Sequence, residues 1–124
     1  MKKKLFLISI AIFCFFACDR KAVHSWVLWK RTIVQSQYRN TDQWETQKAF
    51  PTSSECMKQR DTRIKNDRAA FENLWKDKKD IKVEDIKTGV SYSGNLEGRY
   101  LSRTHSYTCL PEAVDPNKAI VNFE

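Results

Sequence analysis

The first seventeen residues constrain this chain more than any other stretch. Met1 is followed by Lys2, Lys3 and Lys4, and then by a run of thirteen residues, Leu5 to Ala17, that is apolar except for Ser9. A basic start followed by a short apolar core is the pattern of a secretory signal peptide. Thirteen helical residues reach about 20 Å, whereas a bilayer core of about 30 Å needs roughly 20 apolar residues. A retained transmembrane helix is therefore the weaker reading. Residues 1–17 are expected to direct export, which places the rest of the chain in an oxidising compartment.

An ordinary signal peptidase prefers small residues at two positions before the cut. Ala17 meets one requirement and Phe15 misses the other. The tetrad Phe15-Phe16-Ala17-Cys18 instead resembles a bacterial lipobox, with Phe15 and Phe16 where the usual pattern has Leu and a small or β-branched residue. The resemblance covers the first 18 residues. It implies that Cys18 becomes the first mature residue and carries a diacylglyceryl group on sulfur, with an acyl chain such as palmitate added after cleavage. The alternative is a soluble secreted protein in which Cys18 is a free thiol or a disulfide partner.

Cysteine arithmetic follows from that resemblance. The chain has four cysteines. Cys14 leaves with the signal and the anchor consumes Cys18, so Cys56 and Cys109 remain as an even pair. Without lipidation the mature chain keeps three cysteines, one of them unpaired.

Removing 17 of 124 residues leaves 107, one domain's worth. The expected division is signal 1–17, anchor and tether 18–22, and a single globular domain 23–124. The tether Asp19-Arg20-Lys21-Ala22 is too short to carry the domain far from a membrane. Arg20 and Lys21 are the membrane-proximal cations, and Asp19 next to the anchor is a candidate inner-membrane sorting signal. The full chain has 22 basic and 15 acidic residues; three lysines leave with the signal, so the mature part has 19 against 15, a net +4. That is a mixed surface rather than the dense basic patch of a nucleic-acid binder.

Residues 23–34, with Trp26, Val27, Leu28, Trp29, Ile33 and Val34, are predicted to form a strand. Trp26 and Leu28 face one way, Val27 and Trp29 the other. Polar residues 35–43 suit a hairpin turn with Asn40-Thr41-Asp42 at its tip. Trp44 to Phe50 is the return strand, with Trp44, Thr46, Lys48 and Phe50 on one face. Thr52-x-x-Glu55 is a capping box, and a helix is expected over 53–78. Met57, Ile64, Phe71, Leu74 and Trp75 make its apolar stripe, and Asp61/Lys65 and Glu72/Lys76 are acid-before-base pairs four apart. Residues 76–80 end the helix in solvent.

Ile86, Thr88, Val90 and Tyr92 suggest a further strand, Ser93-Gly94-Asn95 a turn, and 99–109 a return strand. On that last strand Leu101, Arg103, His105, Tyr107 and Cys109 share one face. Ser102, Thr104, Ser106 and Thr108 share the other, which is expected to be solvated. Leu110-Pro111 and Asp115-Pro116 close the domain with turns, and 117–124 trails or adds an edge segment. The fold class is α+β: one amphipathic helix packed on a small antiparallel sheet, with one disulfide. A Cys56–Cys109 bridge would clamp helix to sheet, and closing its 53-residue loop contributes about 4 kcal/mol in the chain-entropy model.

The Trp-rich first strand, Ser54-Glu55-Cys56 and the run Tyr107 to Glu112 resemble small exported bacterial proteins with no assigned function. The resemblance touches about a third of the chain and implies no activity.

His24 and His105 are the two histidines, and neither stands in a metal-ligand spacing. H-E-x-x-H, G-x-S-x-G, C-x-x-C and phosphate-loop motifs are absent from the sequence. His105 and Ser106 are strand neighbours, so their side chains point to opposite faces and form no dyad. His105, Arg103 and Glu112 read as a surface cluster, with a polar pocket lined by the three as the alternative, while Glu112 and Asp115 read as turn residues. No catalytic constellation and no cofactor is expected. The function read from the sequence is a membrane-anchored envelope lipoprotein acting as a binding or structural module. Its expected partners are the membrane, through the anchor, and an envelope protein; nucleic acid is not expected, and oligomeric state stays open. The alternative is a small secreted inhibitor of an enzyme such as lysozyme. Some such inhibitors insert a Ser-Gly-x-x-Tyr loop, but here Glu97 follows Ser93-Gly94 where that Tyr would stand.

Overall fold

The computed structural model describes residues 25–121. The signal 1–17, Cys18, Asp19, Arg20, Lys21 and His24 lie outside the described residues. The elements run β1 Trp26–Ser36, β2 Asn40–Phe50, α1 Ser53–Trp75, β3 Ile81–Ile86, β4 Gly89–Leu96, β5 Arg99–Pro111 and α2 Pro116–Val121. The five strands form one antiparallel sheet in the order β2-β1-β5-β4-β3, with α1 across one face. This is the expected α+β class, with one strand more than the sequence suggested.

The central pairing is β1 against β5, in register from Trp26 opposite Pro111 to Ser36 opposite Leu101. Both strands are rich in β-branched and aromatic residues, which fit a pleated surface covered on at least one side. The β1–β2 turn lies earlier than Asn40-Thr41-Asp42. Ser36 sets it: its hydroxyl accepts from the amides of Tyr38 (3.4 Å) and Arg39 (3.1 Å), while its own amide donates to the Arg39 carbonyl at 2.9 Å. A serine turn of this type leaves Asn40 to Asp42 free to extend as strand.

A register shift then separates Leu28/Lys48 from Trp29/Thr46, leaving Gln47 as the extra residue of β2. A bulge inverts side-chain parity. Lys48 and Phe50 consequently share the helix-side face with Leu28 and Trp26, whereas Trp44 and Thr46 face away, so the single face expected for all four is divided.

Thr52 caps α1, its hydroxyl accepting from the Glu55 amide at 3.2 Å. The helix stops at Trp75, three residues short of the expected end. Lys76 to Asp80 form a tight connection, and Ile81 begins a strand not expected from the sequence; the single strand expected through Ile86, Thr88, Val90 and Tyr92 is instead a hairpin in which Ile86 ends β3 and Gly89 opens β4. Ile81 is itself core, 7 % exposed.

The stripe of α1 also differs from expectation. Met57 is 45 % and Leu74 60 % exposed, while Cys56 and Phe71 are buried and Ile64 and Trp75 half-buried. A strict seven-residue spacing drifts around a straight helix. The stripe that meets the sheet instead follows Cys56, Arg60, Ile64, Asp67, Phe71 and Trp75, at steps of four, four, three, four and four. The helix ion pairs are Arg60 with Asp61 and Arg68 with both Glu72 and Asp85, rather than the expected Asp61/Lys65 and Glu72/Lys76.

Two clusters anchor the helix. Near its start, Leu28, Cys56 and Tyr107 are buried among Trp26, Phe50, Ile64 and Cys109. Cys56 and Cys109 form the expected disulfide, Cα atoms 6.1 Å apart. Toward its end, Phe71, Ile81, Val90 and Tyr92 are buried, with Phe71 and Tyr92 packed edge-to-face at 4.7 Å. Ser93-Gly94-Asn95 is not a turn but part of β4, and the reversal into β5 is made at Glu97 and Gly98, both with positive φ. At Gly94 a Cβ would meet the Asp80 carbonyl oxygen at 1.9 Å, so close backbone approach accounts for that glycine. The Ser102, Thr104, Ser106 and Thr108 face, expected to be solvated, is half-buried.

Candidate functional site

The register places every second residue of β1, β2 and β5 on the helix side: Lys30, Thr32 and Val34; Thr41, Gln43 and Glu45; Arg103, His105 and Tyr107. Helix α1 crosses this face obliquely, from the β2–β1–β5 end at Cys56 to the β4–β3 side at Phe71 and Trp75. The part toward the β1–β2 turn stays uncovered. There an open groove of about 340 Å³ is lined by those strand residues as far as His105, together with Arg39 from the turn.

The wall between groove and core is a polar network under the helix. Asp67 of α1 accepts at one carboxylate oxygen, Oδ2, from the Tyr107 hydroxyl at 2.5 Å and from His105 Nδ1 at 3.0 Å. A carboxylate accepts only, so Nδ1 carries a proton and its bond to Asp67 orients the ring. The His105 ring lies 4.9 Å from the Phe71 ring, and the residue is 8 % exposed. Its Nε2 is buried without a hydrogen-bond partner among the described residues. Lys30 places its ammonium 5.9 Å from the centre of the Tyr107 ring.

Burial pushes the Asp67 carboxyl up. The hydrogen bonds from His105 and Tyr107, with the charges of His105 and Lys30, outweigh it and leave the group below the usual carboxylate value. Burial and the bond to the Asp67 carboxylate both hold the Tyr107 hydroxyl well above the ordinary tyrosine value. The network is therefore a neutral phenol and an oriented imidazole on one half-buried carboxylate. It resembles the base and orienter of a catalytic triad without its nucleophile: no hydroxyl or thiol lies within hydrogen-bond reach of Nε2 among the described residues. Its evident work is to fix the groove's inner wall.

The groove is cationic. Lys30, Arg39 and Arg103 face one carboxylate, Glu45, and none of the three forms an ion pair among the described residues. Arg31, on the opposite face, is by contrast paired with Asp42 at 2.6 Å. A second hollow of about 230 Å³ continues beyond Val34 toward the strand tips. Ser36, Tyr38, Leu96, Glu97, Arg99 and Leu101 contribute to it, and the Arg99 guanidinium lies 5.7 Å from the Tyr38 ring centre.

Of the residues singled out in the sequence, Cys56 and Cys109 meet. Arg103 and His105 share the groove, as the candidate pocket required. Glu112 does not join them: it accepts from the Ser25 hydroxyl at 2.5 Å, at the other end of the sheet. Asp115 starts α2, accepting from the Asn117 amide at 2.9 Å, in keeping with its reading as a turn residue. The sequence reading missed Asp67, Lys30 and the polar residues of β2. The available signal was period-two polarity, Lys30-x-Thr32 and Thr41-x-Gln43-x-Glu45, on strands whose other face carries Trp29 and Trp44. Among the described residues no cluster of His, Cys, Asp and Glu could hold a metal ion, and no described helix is long and apolar enough to cross a membrane. No protein-family model matches the chain, and neither a curated protein nor a solved structure shows significant similarity to it.

Proposed function

We propose that the protein is an exported lipoprotein of the bacterial envelope, held to a membrane through Cys18, whose domain binds a component of that envelope in the groove beside α1. The anchor is supported by the three lysines, the apolar run too short to span, and Ala17 before Cys18. The binding role rests on one observation: a polar sheet face that the helix leaves open, lined by three cations without ion-pair partners among the described residues. A cleft lined by charges of one sign focuses the field and raises the local concentration of ligands of the opposite sign.

Ser25 precedes the Trp26 end of β1, and the groove opens toward the Ser36 end, about 35 Å away for an eleven-residue strand. Attachment through Cys18 would therefore leave the groove at the end remote from the anchor, with Arg20 and Lys21 at the membrane. An inhibitor of an enzyme such as lysozyme is less well supported, since Ser93 and Gly94 lie inside β4, paired with Ser102 and Leu101, and form no protruding loop.

The test has two arms. Replacing Cys18 by Ala is expected to abolish labelling by a fatty-acid analogue and to release the protein from membranes; unchanged labelling overturns the anchor. A photo-crosslinker at Gln43 is expected to trap an envelope component in living cells. One on the exposed helix surface at Lys65 is expected to trap none. Equal yields at the two positions overturn the groove as the binding site.

A further inference from the structure

The two hollows share no lining residue but follow one another along the strands, Val34 and Arg103 bordering the first and Ser36 and Leu101 the second, and together they define a track. Lys30 stands opposite Tyr107, Arg103 lies four residues further along β5, and Arg99 four further still. At the rise of a strand these rows are about 13 Å apart. Arg39 of the turn adds a fourth cation, and Tyr38, 76 % exposed, ends the track. Two carboxylates, Glu45 and Glu97, lie along it. None of the four cations forms an ion pair among the described residues.

That spacing disfavours a single small oxyanion, which could engage one row but not all three. An extended ligand with repeated negative charges matches it. The floor between the cations is Thr32, Thr41 and Gln43, which offer hydroxyl and amide groups as both donors and acceptors. Such a floor complements a chain bearing many hydroxyls. This floor of the first hollow lacks the apolar pockets that anchor peptide side chains and the aromatic platforms on which single-stranded nucleic acid stacks; the second hollow is more apolar, with Leu96, Leu101, Tyr38 and Tyr100 in its lining, surfaces on which the apolar faces of sugar rings can lie.

We propose that the track binds an anionic polysaccharide: a sugar chain whose carboxylate or phosphate groups are held by Lys30, Arg39, Arg103 and Arg99 and whose hydroxyls bond to the Thr32, Thr41 and Gln43 floor. Arginine can grip either oxyanion in a two-pronged bond. The proposal rests on the groove being the binding site and adds the chemistry of the ligand.

The experiment uses the full-length protein, expressed with its signal and purified from the cell fraction in which it accumulates. The probes are polygalacturonate for carboxylate, a phosphate-bearing polysaccharide for phosphate, and neutral dextran, poly-glutamate, poly-uridylate and anionic phospholipid vesicles for comparison. Binding to a charged polysaccharide is expected at low salt, with dextran inert and affinity falling as salt rises. The Arg39→Gln/Arg103→Gln pair is expected to weaken binding at least about tenfold, the loss of one to two charge-assisted bonds. Gln43→Lys, which adds a cation, is expected to tighten it. Arg60→Gln, on the helix, leaves it unchanged. Unfolding of the double variant is detected by thermal melting, and the gain with Gln43→Lys tests the proposal without a destabilising change.

Three results overturn the proposal: no binding to either charged polysaccharide at low salt, equal affinity in all variants, or tighter binding to poly-glutamate, poly-uridylate or vesicles. Crosslinking at Gln43 in cells separates the two levels. Adducts without polysaccharide binding reject the ligand class and keep the groove, whereas absence of both rejects the groove itself.

Discussion

The helix-side face of the sheet is built in two unlike halves. Under α1, toward β4 and β3, it carries Ile81, Val90 and Tyr92, closed over by Phe71 and Trp75. Beyond the helix, toward the β1–β2 turn, the same face carries Lys30, Thr32, Thr41, Gln43 and Glu45 and stays open. Both halves are antiparallel, with a bulge only in the β1–β2 pairing of the open half, so the larger difference lies in what each side chain would lose by being left in water. One 23-residue helix crosses a five-stranded sheet along a single line. Where it does not reach, uncovered apolar residues would be an aggregation liability, and polar ones are left available to a ligand. Asp67, His105 and Tyr107 mark the seam, a hydrogen-bonded network at the border of a core that leaves His105 Nε2 without a partner among the described residues.

The comparison can be broken most severely at the clamp that fixes the helix over its half. Replacing Cys56 and Cys109 together by Ala is expected to cost about 4 kcal/mol, the loop-closure contribution of a 53-residue separation. Chemical denaturation of the oxidised wild type against the double variant measures it, and equal midpoints would refute the clamp. In the covered half, Phe71→Ala is expected to cost about 3 kcal/mol or somewhat more, through lost burial and the cavity left behind. Gln43→Ala, a side-chain truncation at an exposed site in the open half, is expected to move stability by less than about 0.5 kcal/mol. Comparable losses in the two variants would show that the halves do not differ as described.

The seam gives the smaller and pH-dependent effect. Asp67 has a folded value below its unfolded one, so its contribution is present above the unfolded carboxylate range near pH 4 and is lost as pH falls through the folded value. Tyr107 is raised on folding, so its contribution is full below about pH 10 and is lost as pH rises beyond it. Asp67→Asn is expected to cost about 1–2 kcal/mol at neutral pH. It should also flatten the acid limb of the stability–pH curve. An unchanged acid limb in the variant would remove Asp67 from the account.

Much of this was legible along the chain. The Thr52-x-x-Glu55 cap located the helix start to the residue, because capping is a local hydrogen bond. Alternation on 99–109 correctly put Leu101, Arg103, His105, Tyr107 and Cys109 on one face, because a strand's period is two. The β1–β2 turn was misplaced because the Ser36 hydroxyl, bonding to amides two and three residues on, outcompeted the Asn-Thr-Asp run. Strand β3 was hidden because Ile81-Lys-Val-Glu-Asp-Ile is short, charged and follows a lysine-rich helix end, and it becomes a strand by pairing with β4.

The sequence by itself determined the things that depend on neighbours a few residues away: the helix cap and the alternation of the last strand. Tertiary structure alone decided the rest. The bulge at Gln47 set which side of the sheet β2 turned its polar residues to, and the oblique path of α1 set how much of that side stayed open. Only the meeting of a helix and a strand 38 residues apart gave Asp67 its partner His105. Each of these is a contact between segments distant in sequence, whose free energy depends on burial and register that no single segment encodes.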